Sequence, residues 1–337
     1  MKHLKVYTPT IILLSCAFIC VIYFIVQRAY SVQKLRWAHV YEVSSPYHQE
    51  ALWAAREFER RTDGNYSIQV YASSSLGNEV GINEAVDLGS IDIIYTGASL
   101  AAQRHPPLAI SDYPYTIKDF KHWQSYSKSD LFKELVDGYY KATKDEIVSL
   151  VYYGFRHVTS NKPIHIPADM ENLKIRVPNA TPFLMMPAQT DANPTPISFS
   201  ETYLALQQGV VDAQENPLTT IKYKRFYEVQ SHINLTAHIA NSLVVVIAGK
   251  TLSRLGKEDS TILRNVLKDT VNRVNKEVRQ QEIDLLTWYP EQGITIIDSD
   301  REAFRQRVLP ALHDKSMPFT PEQLSRLQQL APNKRTP

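Results

Sequence analysis

Residues 173–214 read LKIRVPNATPFLMMPAQTDANPTPISFSETYLALQQGVVDAQ. Leu173, Ile175 and Val177 occupy one face of a strand, and Lys174 and Arg176 the other. Ser200 is the predicted N-cap of a helix running to Gln208, after which Val210 to Gln214 forms a second β-branched run. Strand, helix and strand in that order predict an α/β fold with largely parallel sheets.

The alternation continues in both directions. Strand-like runs fall at Lys34 to Val40, Tyr66 to Tyr71, Ile91 to Thr96, Ile147 to Tyr153, Leu243 to Ala248 and Ile294 to Ile297. A helix from His48 to Arg61 gathers Ala51, Leu52, Ala55 and Phe58 on one face. In such folds a ligand sits at the carboxyl ends of strands, where the topology opens a crevice. From about Thr261 to Tyr289, apolar residues including Leu263, Val266, Val274, Val278, Leu285 and Leu286 recur at helical spacing. At ~1.5 Å per residue that helix is roughly 40 Å long, enough to lie across two lobes. There is no internal repeat and no long linker, so several chain crossings should join the lobes. The polar stretch after Pro318 is expected to fray.

Composition removes whole classes of function. With 44% hydrophobic and 21% charged residues, 11 Gly, 19 Pro and 2 Cys in 337 residues, the chain is globular rather than fibrous, low-complexity or disulfide-rich. At ~150 residues each, about two domains fit. The 37 basic and 35 acidic residues leave a formal charge of +2, and Lys2, Lys5 and Arg28 lie in the first 33 residues with no acid. The remainder is thus near neutral, and a body without a basic stripe argues against nucleic acid.

Ile11 to Val26, IILLSCAFICVIYFIV, follows Lys2 and Lys5 and has the pattern of an export signal or an N-terminal membrane anchor. Three outcomes fit it: cleavage near Arg28-Ala29-Tyr30-Ser31, retention as an anchor, or lipidation at Cys16 within Leu13-Leu14-Ser15-Cys16. Both cysteines, Cys16 and Cys20, lie inside this segment, so the body has neither disulfides nor cysteine chemistry. The flanking lysines place the bulk of the chain outside the cytoplasm.

Motifs for catalysis are missing. The sequence contains no G-x-G-x-x-G, P-loop, G-x-S-x-G or H-E-x-x-H, and the histidines at 39, 48, 105, 122, 157, 165, 232, 238 and 313 show no metal-ligand spacing. They are expected to be surface or structural groups, and no cofactor or metal is implied. Unusual polar residues concentrate instead between Gly154 and Asn216. Arg156 is expected just past the carboxyl end of an apolar strand, and Asp212-Ala213-Gln214-Glu215-Asn216-Pro217 at the end of another. Taken singly, each arginine is more often a surface or ion-paired residue. Two at strand ends in one lobe make a carboxylate clamp, since the guanidinium fork matches a carboxylate bidentately.

The runs Gly154 to Asn161, Ile166 to Asn179, Asn193 to Gln207 and Val211 to Pro217 together resemble the DctP-type substrate-binding proteins of TRAP transporters, the sialic-acid and sugar-acid receptors most nearly. Ser74-Ser75-Leu76-Gly77-Asn78, the Asp92 strand and Lys224 to Gln230 extend the resemblance over nearly all of residues 34–315. It implies an α/β protein with the two-lobe periplasmic-binding-protein fold, a ligand cleft between the lobes and a long helix spanning both. It implies a first lobe of 34–154 plus about 243–280, a second of 155–242 plus about 281–325, and a flexible tail at 326–337. It implies further a receptor in the periplasm, free or tethered, that closes on a small carboxylate by a hinge motion and hands it to TRAP membrane permease subunits.

By the same resemblance Arg176 forms the main salt bridge to the ligand carboxylate and Arg156 supports it. Asn216, Phe199 and Asn179 hydrogen-bond or wall the pocket, and Glu79 keeps the acidic residue after the Leu76-Gly77 motif. The first lobe departs from the sialic-acid pattern: Gly97 stands where those receptors carry a glutamate, and Val40 or Tyr41 where they carry an asparagine. A sugar polyol needs several acceptors, so the remaining set suits a smaller sugar acid or a dicarboxylate. Two competing functions are a tethered sensor, if residues 11–26 are never cleaved, and a lyase or isomerase with Glu79 or Glu215 as base. No oxyanion donor or metal motif accompanies either glutamate, which disfavours the enzyme.

Overall fold

The computed structural model describes residues 32–332. Its strands are β1 (Gln33–Ala38), β2 (Tyr66–Tyr71), β3 (Ile93–Gly97), β4 (Glu146–Ser160), β5 (Lys174–Val177), β6 (Asn193–Pro196), β7 (Ala213–Pro217), β8 (His232–Ile247) and β9 (Thr295–Ile297). The helices are α1 (Pro46–Arg61), α2 (Glu79–Leu88), α3 (Ala98–Ala101), α4 (Phe120–Ser127), α5 (Asp130–Thr143), α6 (Thr181–Gln189), α7 (Thr202–Gln207), α8 (Leu218–Tyr223), α9 (Gly249–Glu291), α10 (Arg301–Val308) and α11 (Pro321–Gln329).

The strands form one sheet in the order β2-β1-β3-β8-β4-β7-β5-β6, with β9 on β8. Two lobes share it. β1 to β3 lie beside Leu243 to Ile247 of β8, whereas β5 to β7 and β9 gather around Arg156 to Ser160 of β4 and His232 to Asn234 of β8. β4 and β8 are the crossings, each running through both lobes. Pairing is parallel for β1–β2, β1–β3, β5–β6, β5–β7 and β8–β9 but antiparallel for β3–β8, β4–β7 and β4–β8. The expected parallel sheet therefore holds within each lobe and fails at the crossings, which run in opposite directions.

Each lobe is built from elements the sequence dictates. Ser45 caps α1, accepting from the His48 amide, and Pro46 sits in the first turn, where its missing N–H is no loss. Ala51, Ala54, Ala55 and Phe58 are buried on its inner face. Long helix α9 exceeds its expected span at both ends, with a break at Gly256, whose φ of +76° suits glycine. Leu263, Val266, Leu267, Val274 and Val278 are buried along its inner stripe, whereas Leu286, part of the same spacing, is exposed. Near its end the Tyr289 hydroxyl donates to the Leu218 carbonyl at 2.5 Å, so one helix braces both lobes.

The stretch after Pro318 does not fray as expected. It forms α11, whose N-cap Thr320 and Gln323 make a reciprocal capping box. Phe319, Leu324 and Leu327 are buried, the His122 ring nitrogen Nε2 lies 2.8 Å from the Leu327 carbonyl oxygen, and Arg326 pairs with Glu134 of α5 at 2.6 Å. Three apolar anchors outweigh the polarity of the rest, and they join this helix to the first lobe. Leu327→Ala should lower stability by ~2–5 kcal/mol, read from the denaturant midpoint, while leaving ligand affinity unchanged.

Candidate functional site

The site grows from a defect in the crossing strands. The β4–β8 register shifts between Tyr152 and Gly154 and again between Arg156 and Val158. Gly154 has a φ of +114°, and a Cβ there would lie 2.8 Å from Cβ of Pro217, so only glycine fits. On β8, Asn234 pairs with Val158 and Ile239 with Arg156, leaving four residues opposite one. This bulge includes Ala237 at φ +41° and turns His238 toward β7.

Arg156 thus lies in the middle of β4 rather than past its end, because the strand continues through the bulge at Gly154. Likewise Gln214, Glu215 and Asn216 belong to β7 itself instead of following it. Arg156 is buried and pairs with Glu215: Nε and Nη2 donate to the two carboxylate oxygens, and Nη2 also reaches the Glu215 carbonyl at 2.6 Å. Nη1 donates to Asn241 Oδ1 at 2.8 Å, and the Phe183 ring covers the guanidinium at 4.7 Å. His238 Nε2 completes the cluster 3.1 Å from Glu215. Burial alone would raise the Glu215 carboxyl, but Arg156 and His238 outweigh it and hold it below the usual range. Burial lowers His238 despite Glu215.

Arg176 is different. It stands on β5 at 1% exposure, and its Nε donates to the Ile197 carbonyl at 2.9 Å. Its Nη1 is buried with no hydrogen-bond partner among the described residues. Burial, joined by nearby Arg156, pulls the guanidinium down to about 10, so it remains charged at neutral pH.

Arg156, Arg176, Asn216, Phe199 and Glu79 line one cavity of about 30 Å³ between the lobes. It borders a vestibule of about 270 Å³, to which Arg176, Glu79 and Phe199 also contribute. Phe199 comes from a 3-10 turn, Phe199–Glu201, that precedes α7 where a regular helix start at Ser200 was expected. Asn216 is buried and donates from Nδ2 to Gln214 Oε1 at 2.6 Å. Asn179 lines the vestibule beside Arg176 and Phe199 rather than the inner cavity; it is exposed there, and its carbonyl accepts from Gln103 of the opposite lobe at 3.3 Å. The Pro178 step carries it outward past the end of β5.

Glu79 enters from the first lobe, on the first turn of α2, where Asn78 caps the helix. Its carboxylate accepts from the Gly97 amide, and burial raises its pKa against the pull of Arg176 and Arg156. Across the mouth, Lys224 of the second lobe pairs with Glu42 of the first at 2.7 Å and lies over the Phe199 ring at 5.1 Å. Six lining residues were not picked out from the sequence as site groups: Leu100, Tyr153, Pro178, Phe183, Asn241 and Leu243. Asn241 alone left a signal, an amide inside an otherwise apolar strand end, and its Nδ2 is buried without a well-aligned partner although Asp112 lies nearby. The buried histidines are hydrogen-bonded structural groups as expected, His39 with His48 at 3.1 Å and His157 accepting from the Ala237 amide.

Comparison with known proteins fits this geometry. Residues 37–317 match the family model DctP, "Bacterial extracellular solute-binding protein, family 7". The sialic acid-binding periplasmic protein SiaP of Vibrio cholerae is 34% identical over 268 residues, 80% of this chain and 84% of that one. The 2,3-diketo-L-gulonate-binding periplasmic protein YiaO of Escherichia coli is 28% identical over 301 residues, 87% of this chain and 89% of that one. Among solved structures, a TRAP periplasmic solute-binding protein from a Polaromonas species, bound to D-erythronate, superposes with a TM-score of 0.85 at 27% identity, covering 89% of this chain and all of that one. One from Roseobacter denitrificans with bound L-galactonate gives 0.83 at 26% identity, covering 89% and 99%. A sheet shared by two lobes, a cavity between them and a match over most of the length agree: the chain belongs to the DctP family of bacterial extracellular solute-binding proteins.

Proposed function

We propose that this protein is the extracytoplasmic receptor of a TRAP transporter, binding a small organic acid, a sugar acid or dicarboxylate, through a salt bridge from Arg176 and delivering it to the membrane permease subunits. One observation carries the proposal: a buried guanidinium in the interlobe cavity whose Nη1 has no hydrogen-bond partner among the described residues. Burying such a donor is unfavourable unless an acceptor reaches it, and a carboxylate fits the fork bidentately. Arg156, already held by Glu215, supports the site as a fixed positive neighbour rather than as a second clamp. Asn216 and Glu79 supply polar contacts from opposite lobes, and Phe199 supplies a wall.

The chain acts by binding and release, without cofactor or metal. The lobes divide near residues 154 and 242, where β4 and β8 cross, and close about those crossings. The protein works in the periplasm, where relatives such as SiaP and YiaO are placed by name. Among the described residues no helix is long and apolar enough to cross a membrane, and the apolar segment at 11–26 lies outside them. N-terminal sequencing of the mature protein distinguishes cleavage, lipidation and retention.

A thermal-shift screen of sugar acids, keto acids and dicarboxylates tests the assignment. A ligand at 100 times its dissociation constant stabilises the fold by ~2.7 kcal/mol, a readable rise in melting temperature. Every hit is expected to carry a carboxylate. Neutral sugars binding equally well would refute the proposal.

A further inference from the structure

The first-lobe half of β4 is a sheet edge. β8 pairs with β4 from Glu146 to Ser160, but β7 reaches only Arg156 to Ser160, so along Glu146 to Tyr153 no described strand takes the other side. The Tyr152 amide points out of the sheet there, donating to Asn275 Oδ1 of α9 at 2.7 Å. Backbone groups alternate along a strand, so those of Leu150 face the same side. The register shift between Ile147 and Ser149 sets Val148 outside the ladder. Val148, Ser149 and Leu150 floor a groove of about 670 Å³ that runs between α9 and the pair α4 and α5.

The walls of this groove carry one sign of charge. Lys128, just past α4, lines it with Lys268, Lys276 and Arg279 of α9, and no described carboxylate does. The body of the chain is near neutral, so the groove reflects segregation of charge and not excess. Helix α9 sorts its charges by face: Asp269 turns to Arg61 of α1 at 3.1 Å, and Glu277 lies beside Glu50 and Arg273. Arg279 is held by Glu282 at 2.6 Å, whereas Lys128, Lys268 and Lys276 are exposed and form no salt bridge with any described residue. Like charges gathered around one trench raise its positive potential and attract an anion.

A flat membrane surface does not reach a strand edge at the bottom of a trench, and a small anion leaves the backbone groups of that edge unused. An extended acidic peptide meets both demands, its backbone pairing with β4 and its carboxylates with the lysines. We propose that the groove is a docking site for an extended acidic segment of a partner protein, which adds as a short strand to the first-lobe edge of β4. The groove shares no lining residue with the interlobe cavity or its vestibule, so the inference stands whichever acid the cleft takes.

The probe is a fluorescein-labelled pentapeptide that alternates glutamate and valine. Fluorescence anisotropy with the mature protein at ~20 mM salt should give a dissociation constant of ~10–100 μM, weakening at least ~5-fold at ~200 mM salt as the charges are screened. The combined variant Lys128→Gln, Lys268→Gln and Lys276→Gln changes only exposed side chains and should melt near the native temperature. It should bind the peptide at least ~10-fold more weakly, while its affinity for the best acid of the screen changes less than ~2-fold. The same peptide N-methylated throughout keeps its carboxylates but offers no N–H to β4, and should also lose at least ~10-fold. An acidic pentapeptide that fails to bind overturns the proposal, as does equal binding by the triple variant. An N-methylated peptide that binds as tightly reduces the groove to a plain anion site and overturns the strand pairing. Cosedimentation of the native protein with phosphatidylglycerol vesicles through the same three lysines assigns the groove to a membrane and overturns the peptide. Failure of every carboxylate in the screen bears on the cleft and leaves this result untouched.

Discussion

Arg176→Ala is expected to weaken binding of the best acid by roughly 30-fold to several thousand-fold, about 2–5 kcal/mol, with the fold intact. The size follows from the surroundings. Arg176 is 1% exposed, so an anion held by it is cut off from water and, once the guanidinium is gone, has nothing to replace either water or the charge. Lysine keeps the charge without the fork, and Arg176→Lys should recover only part of the affinity. Were Arg176 an ordinary exposed strand charge, the loss would stay within ~1 kcal/mol. Calorimetry on the alanine variant decides: a dissociation constant changed less than about fivefold removes Arg176 from the site.

Much of this was legible in the sequence because burial and period coincide there. β2 is found at Tyr66–Tyr71 as the alternation places it, and α1 begins two residues before its expected start because Ser45 and Pro46 supply cap and first turn. What escaped is equally physical. β4 and β8 continue well beyond their apolar halves through Phe155-Arg156-His157 and His232 to His238, stretches whose polarity suits a loop. They remain strands because their polar groups are satisfied inside the fold, Arg156 by Glu215 and Asn234 by bonds to Val158 and Ser160. β6 was hidden by Pro194 and Pro196, which an edge strand tolerates since it needs no second ladder. Of the candidate site residues, Arg176, Arg156, Asn216, Phe199 and Glu79 line the inner cavity, and Asn179 lines the vestibule beside it. Tyr153 and Phe183 are ordinary core aromatics by pattern, and only tertiary folding reveals which of them face a cleft.

The ion pair behind the cleft carries the second large effect. Glu215 is 0% exposed and holds Arg156 through both carboxylate oxygens, with His238 on one of them. Glu215→Ala leaves a buried guanidinium without its counter-charge, which should destabilise the protein by ~3–5 kcal/mol. The denaturation midpoint should fall accordingly. Binding should suffer too, because Arg156 released from Glu215 is free to swing toward the cavity and alter the field at Arg176, its neighbour there. Arg156→Ala should destabilise similarly, by stranding Glu215, and so weaken ligand binding through the fold more than through a lost contact. The double replacement Arg156→Met with Glu215→Leu separates these effects. Removing both charges together leaves neither one uncompensated, so stability should return to within ~1–2 kcal/mol of the native protein. Among the described residues Arg176 then remains the only cation lining the inner cavity. If the ligand carboxylate depends on Arg176 alone, the double variant should retain most of its affinity. A variant that refolds to native stability but has lost binding altogether would show instead that Arg156 contacts the ligand directly, and the division of labour between the two arginines would have to be redrawn.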